Sequence, residues 1–512
     1  MTRLNFVEKL YQGRNCYSDH MSSDELALLH IHSKVESIIA DLLTRNKVVF
    51  LTGNPGDGKT FIIKTLGENI AACHAYVQAD LNNVRDYNAV ACALIECYTN
   101  EKPAIVAVNE YPFLHLLRSI KALSPIMYDE IQRVRRSVIA YSISGPLSGR
   151  VAVIDLNERN LLAPGYHHLD NLIDRLVHLL QEEPVYDETL KYNLAALSNS
   201  DIKRQVLTLF ELAAAECEHF AVRDILGALA FILTAGVNEN YQGHRYYSTL
   251  FEGSNELLRA IQQYDPIRLT VPELDERLWN GVITDGWRIA LPEKYPKDYD
   301  DVAEAVDCFK EIKRRYFFEN SQGEKLIALQ PDEVSRSKEL FIKLESQKKK
   351  TKEALILAMN KLFLPSSKDK SQLRIWTTHR YDMSIDAAVA VSSKAVSAAA
   401  LDLLAPRPAD WIKGLEYVPN HLIMKPKGAE EPRLVMDVDF LRTLLAVDSG
   451  YPVGLLAPQY EQAVTLFLQQ LDNSGIAEQN EDGETILACR SQSFQRTVYI
   501  QDGKYGFGED ER

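Results

Sequence analysis

Thirteen residues, Val48 to Thr60, constrain the chain more than any other stretch. They read Val-Val-Phe-Leu-Thr-Gly-Asn-Pro-Gly-Asp-Gly-Lys-Thr. The first five are apolar or β-branched and suit a strand buried on both faces. The last eight are Gly53, Asn54, Pro55, Gly56, Asp57, Gly58, Lys59 and Thr60. They match G-x-x-x-x-G-K-[ST], and Phe61 opens an apolar helical run. Glycines let successive backbone N–H groups turn onto one anion, and the helix N-terminus adds partial positive charge. Lys59 is placed to reach the β- and γ-phosphates of a nucleotide, and Thr60 to give Mg²⁺ an oxygen. Asp57 is the odd member. A carboxylate cannot face a bound anion, so its side chain is expected to point away from the loop's concave face. Chance produces the pattern in about one chain of this length in fifty, and the correct flanks make it more specific.

The 512 residues allow roughly two to four domains. With 46% hydrophobic and 25% charged residues, the composition is that of an ordinary soluble globular protein. The apolar runs are too short for a membrane span, and the first residues lack a long signal core. Seven cysteines, at 16, 73, 92, 97, 217, 308 and 489, include no C-x-x-C pair. That usage predicts reduced thiols and a cytoplasmic location. A net charge of −14 argues against direct binding to nucleic acid through bulk electrostatics.

Ser22 to Glu25 can cap a helix whose apolar positions run from Leu26 to Leu43, leading into the loop strand. This helix is expected to pack on the strand and to offer a surface to a base. A helix over 61–73, a strand over 75–79 and a helix over 87–98 follow. Then come a strand ending at Asn109-Glu110, a helix over 113–123 and a strand Val151 to Asp155. Alternating buried strands and helices predict a doubly wound parallel α/β domain over 1–168, with its ligand at the carboxyl ends of the strands. Helical patterns over 169–180, 202–217 and 222–235 predict a helical lid across 169–240. A mixed, mainly helical region follows at 241–364, and it holds the basic-aromatic run Lys313 to Phe318. Pro365 to Gln372 reads as a linker. Strand patterns near 373–377, 415–424, 433–437, 484–489 and 496–508, with helical pieces near 439–446 and 459–472, predict an α+β region over 373–512, expected to dock partners and to be dispensable for ATP binding. Asp502-Gly503 marks a hairpin turn.

A nucleotide-hydrolysing loop needs a carboxylate to hold Mg²⁺ and a group to orient or deprotonate water. The strand Ile105-Val-Ala-Val-Asn109 followed by Glu110 resembles the Walker B strand of AAA+ ATPases, with Asn in place of the usual Asp. On that resemblance Glu110 stands where the catalytic base would be, and Asp80 or Asp155 would anchor the metal. The rival assignment makes Val151 to Asp155 the Walker B strand. Asn157 stands where AAA+ proteins carry a polar sensor of the γ-phosphate, and Arg223 where a lid arginine reaches back to it. Arg133, Arg135, Arg136 and Arg159 are candidates for an arginine finger, against a surface ion-pair role for each. The lysines at 348–350 and 352 read as a solvated helix face, and His167-His168 as a loop pair without metal spacing.

The loop, the Ile105–Asn109 strand and Val153-Ile-Asp-Leu-Asn157 are together similar to ATPases of prokaryotic anti-phage systems, in particular the ATPase of DNA phosphorothioation-dependent restriction. Weaker similarity extends through Val222–Leu226, Tyr246–Phe251, Asp265-Pro266, Lys313–Phe318, Asp437–Leu441 and Gly450-Tyr451. The resemblance implies an ATP- and Mg²⁺-dependent subunit of a multi-protein defence complex. Its partner subunits would carry the nuclease or other effector, and any contact with DNA would pass mainly through them. Assembly into a homo-oligomer is compatible with it. The alternatives are a nucleotide-operated switch with little turnover and, from another class, a nucleotide or small-molecule kinase.

Overall fold

Strand β1 (Val48–Thr52) is buried along its whole length and lies in the middle of the site-bearing sheet. A computed structural model describes the chain except residues 1, 12–20, 32, 83, 141–146, 164–167, 185–186, 217–218, 327–331, 380–387, 457, 481–483, 491–494, 502 and 508–512. His167 of the histidine pair and Asp502 of the hairpin turn lie outside the described residues. Three helices precede β1: α1 (Arg3–Tyr11), α2 (Ser23–Leu29) and α3 (Lys34–Thr44). After it come α4 (Lys59–Thr65), α5 (Gly67–Ala72), β2 (Tyr76–Gln78), α6 (Tyr87–Thr99) and β3 (Ala104–Val108). Then follow α7 (Glu110–Leu123), α8 (Pro125–Arg136) and β4 (Val151–Asp155).

The four strands are all parallel, in the order β2-β3-β1-β4, with Thr52 opposite Val108 on one side and Asp155 on the other. Their side chains alternate between two cores, as a pleated strand requires. Phe50, Val106 and Val153 face Phe113, Leu116 and Ile131 of α7 and α8. Leu51, Ile105 and Ile154 face Ile39 of α3, Ile62 of α4, and Ile412 and Leu415 from far along the chain. The sheet is therefore covered on both faces.

Two helices expected as single are each divided. Ser22 and Glu25 form the predicted capping box, but α2 ends at Leu29 with His30 extended. Ser33 then caps α3, its side chain accepting from Val35 N–H. A second cap satisfies an orphan donor that a continuous helix would not have had, so the break is stable. The helix expected over 61–73 is interrupted at Leu66, just before Gly67, a poor helix former.

The lid region is helical as its pattern predicts: α9 (His168–Gln181), α10 (Glu188–Leu197), α11 (Ser200–Glu216) and α12 (Val222–Thr234). One apolar core runs from α1 through these helices to Phe317, Phe318 and Leu326. The run Lys313 to Phe318 is buried on helix Val302–Glu319. Lys313 pairs with Asp275 at 2.6 Å, Arg314 with Asp265 at 2.7 Å and Arg315 with Glu319 at 2.6 Å. These cations are taken up inside the protein.

The chain divides into two compact units. The first comprises Met1–Ile139, Ser144–Leu329 and Pro408–Val418, and the second Ala140–Ile143, Gln330–Arg407 and Pro419–Arg512. In the second, helices Asp332–Phe363, Val438–Asp448 and Pro458–Asn473 pack with antiparallel sheets. The expected linker at 365–372 lies inside this unit, where the Asn360 side chain donates to the carbonyls of Asp369 and Gln372. Of the lysine run, Lys348 pairs with Asp402, and Lys352 donates to the carbonyls of Ala398 and Leu401. Among the described residues, no helix is long and apolar enough to cross a membrane.

Candidate functional site

The loop after β1 turns through glycines. Gly56 has φ 105°, a conformation that a side chain would strain, and a Cβ there would crowd Cβ of Arg223 at 3.1 Å. Gly58 is left-handed at φ 81° and α4 starts at the next residue. Lys59, Thr60 and Phe61 thus carry first-turn N–H groups with no acceptor inside the helix. A cavity of about 430 Å³ opens over them, within the roughly 300–1,000 Å³ usual for ligand pockets. Pro55 to Ile62 form its floor, Asp80 and Asn109 a polar wall, and Arg223 part of the lid side. Met21, Leu26, Leu29 and Ile31 form an apolar wall, and the break between α2 and α3 places Ile31 there. Phe61 is also in the lining, and its ring lies 5.2 Å from that of His30.

Lys59 is buried, and Nζ donates to the carbonyls of Gly53 at 2.9 Å and Asn54 at 2.7 Å. Burial pulls its pKa down to about 8, although Asp57, Asp155 and Asp80 push it up. An ammonium held over loop carbonyls can move onto a phosphate. The three aspartates would repel a polyphosphate that came without a cation.

At the ends of β2 and β3, Asp80 Oδ1 accepts from Asn82 N and Nδ2, both at 2.8 Å. Asn109 Nδ2 donates to Asn82 Oδ1 at 3.3 Å, whereas Asn109 Oδ1 is buried without a hydrogen-bond partner among the described residues. Thr60 Oγ1 donates to Ala79 O at 3.4 Å, beside Asp80. The Asp80 carboxylate and the Thr60 hydroxyl both line the cavity and are oxygen donors of the kind that could hold Mg²⁺.

The other predicted residues fall as follows. Asn157 does not line the cavity; its Oδ1 accepts from Asn54 N at 3.1 Å and braces the loop. Asp155 caps the turn after β4 through Asn157 N at 3.1 Å. Arg223, at the start of α12, lies on the loop, its N–H donating to Gly56 O at 3.1 Å and Nη2 to Pro55 O at 3.4 Å. Asp57 is buried, and its carboxylate accepts from Asn54 N at 2.5 Å and meets His219 Nε2 at 2.8 Å.

Glu110 is not brought to the loop. It is the first residue of α7, its side chain is 54% exposed, and it pairs at 2.5 Å with Arg135 of α8. That arginine also lies over the ring of Phe113, which holds it on the α7–α8 surface away from the cavity. Arg159 lines the cavity, but its guanidinium is engaged, with Nε 3.1 Å from Glu416 Oε2. Arg133 and Arg136 are exposed on α8. Two site residues carried no local signal. His219 precedes α12 as an ordinary loop histidine, and Glu416 is 257 positions from Arg159.

Comparison of the chain with protein-family models, with curated proteins and with solved structures gives no match.

Proposed function

We propose that this chain binds ATP with Mg²⁺ in the 430 Å³ cavity and hydrolyses it, passing nucleotide state to partner subunits. The observation that carries the reading is one cavity lined jointly by the glycine loop, Lys59, Thr60, Asp80, Asn109 and Arg223. The N–H groups of the loop and first helical turn would take the phosphates. Lys59 would move from the loop carbonyls to the β/γ-phosphates, and Arg223 would meet charge from the lid side. The wall of Met21, Leu29 and Ile31 would take the base. Thr60 and Asp80 would hold Mg²⁺, which supplies charge neutralisation between phosphates and aspartates. The bacterial-defence role rests on the sequence resemblance alone.

A nucleotide-operated switch with little turnover is favoured by a specific observation. Glu110, the expected base, faces Arg135 instead of the cavity, and the preceding position is Asn109. Calorimetry with ATP and Mg²⁺, followed by steady-state phosphate release with and without DNA, separates the readings. Tight binding with continuous phosphate release supports the ATPase. Tight binding with release below one equivalent supports the switch, and no binding ends both.

A further inference from the structure

A line of buried polar contacts leaves the loop and ends on a distant segment. Within the loop, Asp57 Oδ2 accepts from Asn54 N at 2.5 Å. Asp57 Oδ1 lies 2.8 Å from His219 Nε2, and His219 Nδ1 lies 3.0 Å from Arg159 O. Both ring nitrogens therefore face oxygens that can accept, and although burial pulls the ring's pKa down, its contacts with Asp57 and with the Arg159 carbonyl leave it above the usual histidine value. The other end of Arg159 donates from Nε to Glu416 Oε2 at 3.1 Å, and Asn160 N donates to Glu416 O at 2.6 Å. Asp57, Arg159 and Glu416 are respectively 2%, 5% and 2% exposed.

Charges this deep are costly, and losing one partner leaves the other uncompensated. Arg159 is gripped at both ends, by Glu416 at its guanidinium and by His219 at its carbonyl. Glu416 and His219 therefore both bear on the placement of Arg159, and His219 in turn meets Asp57, which accepts from the N–H of Asn54. Glu416 sits on the strap Pro408–Val418, which Ala409, Ile412 and Leu415 anchor against the sheet of the first unit. The residues on either side, Arg407 and Pro419, belong to the second unit.

We propose that Glu416 is a positioning residue for the nucleotide loop, acting through Arg159, His219 and Asp57. The strap thereby ties the shape of the loop to a segment whose flanks lie in the second unit. The inference rests on the nucleotide reading above. Its test is a double-mutant cycle on ATP affinity, measured by calorimetry with Mg²⁺ in Glu416→Gln, His219→Gln and the double variant. Each single change is expected to weaken binding about tenfold, and the double change no further, because both cut one line. Unchanged affinity, or single effects that multiply to about a hundredfold, overturns it.

Amide exchange of the unaltered chain provides a second measurement should Glu416→Gln not fold. ATP with Mg²⁺ is expected to slow exchange at 408–418 together with 53–60. Protection confined to 53–60 overturns the inference and leaves the nucleotide reading standing. Failure of the unaltered chain to bind ATP overturns both.

Discussion

Lys59 is the residue on which the nucleotide reading turns. Its ammonium rests on two loop carbonyls and is held at a pKa of about 8 by burial. Lys59→Ala is expected to weaken ATP binding by about 10- to 100-fold, from the 1.5–3 kcal/mol of hydrogen bonds to charged groups. The fold should persist, since the change removes a charge that burial disfavours. Unchanged affinity in calorimetry would place the nucleotide elsewhere. The sign of the pH dependence follows. Phosphate raises the pKa of Lys59 above its free value, so between the two values the complex is protonated and the free protein partly is not. Binding then takes up a proton and weakens as pH rises past about 8. Titration at about pH 8.5 in buffers of different ionisation enthalpy reads that uptake, and its absence would remove Lys59 from the phosphates. The carboxylates divide similarly. Glu110→Gln should leave turnover within about twofold, because Glu110 pairs with Arg135 outside the cavity. Asp80→Asn should weaken the Mg²⁺ dependence of ATP binding. A loss of about 10² in hydrolysis by Glu110→Gln would instead make it the general base.

Among the elements, the strap Pro408–Val418 changes what the carboxyl-terminal half can be asked to do without. The change to a strand-rich pattern after residue 372 invites a truncation near 365 that keeps ATP binding. In the structure that cut removes Ile412 and Leu415 from one face of the parallel sheet. Each contributes about 1.5–3 kcal/mol by burial. It also strands Arg159 without Glu416, a loss of about 3–5 kcal/mol for a buried ion pair. A chain ending at Leu364 is therefore expected to be insoluble or unable to bind ATP. A soluble truncation with full affinity in calorimetry would show that the strap is dispensable. The Glu416 carboxyl is pushed up by burial, but its bond to His168 and the charge of Arg159 leave it below the usual range. It is thus ionised, as the pair requires.

At the scale of the whole molecule, two units carry separate apolar cores, and the cavity over the glycine loop is lined by residues of the first. A ligand that binds one folded unit stabilises that unit by mass action, by about 2.7 kcal/mol at 100 times its Kd. Scanning calorimetry is expected to show two transitions, of which ATP with Mg²⁺ raises one. A single transition that moves as a whole would mean that the units unfold together. The net charge of −14 bears on partners at this scale too. The basic run at 313–315 is consumed by Asp275, Asp265 and Glu319 and offers no patch to DNA.

Local sequence determined the loop, its strand and its helix, because glycine conformation, a buried β-branched run and a lysine at fixed spacing are short-range requirements. It also determined the alternation of strands and helices through β4, and the capping box at Ser22 and Glu25. Single-helix readings failed at His30 and Leu66, where a second cap or a glycine outweighed continuous apolar periodicity. Only the tertiary structure decided which polar residues meet. Glu110 and Asn109 are adjacent in sequence, yet a helix start turns one to Arg135 while the other lines the cavity. Asp80 gains its place from the adjacency of β2 to β3, and Glu416 from a strap that returns to the first unit. No local pattern encodes those meetings, because burial of a charge is satisfied by whichever partner the packing delivers, at any distance along the chain.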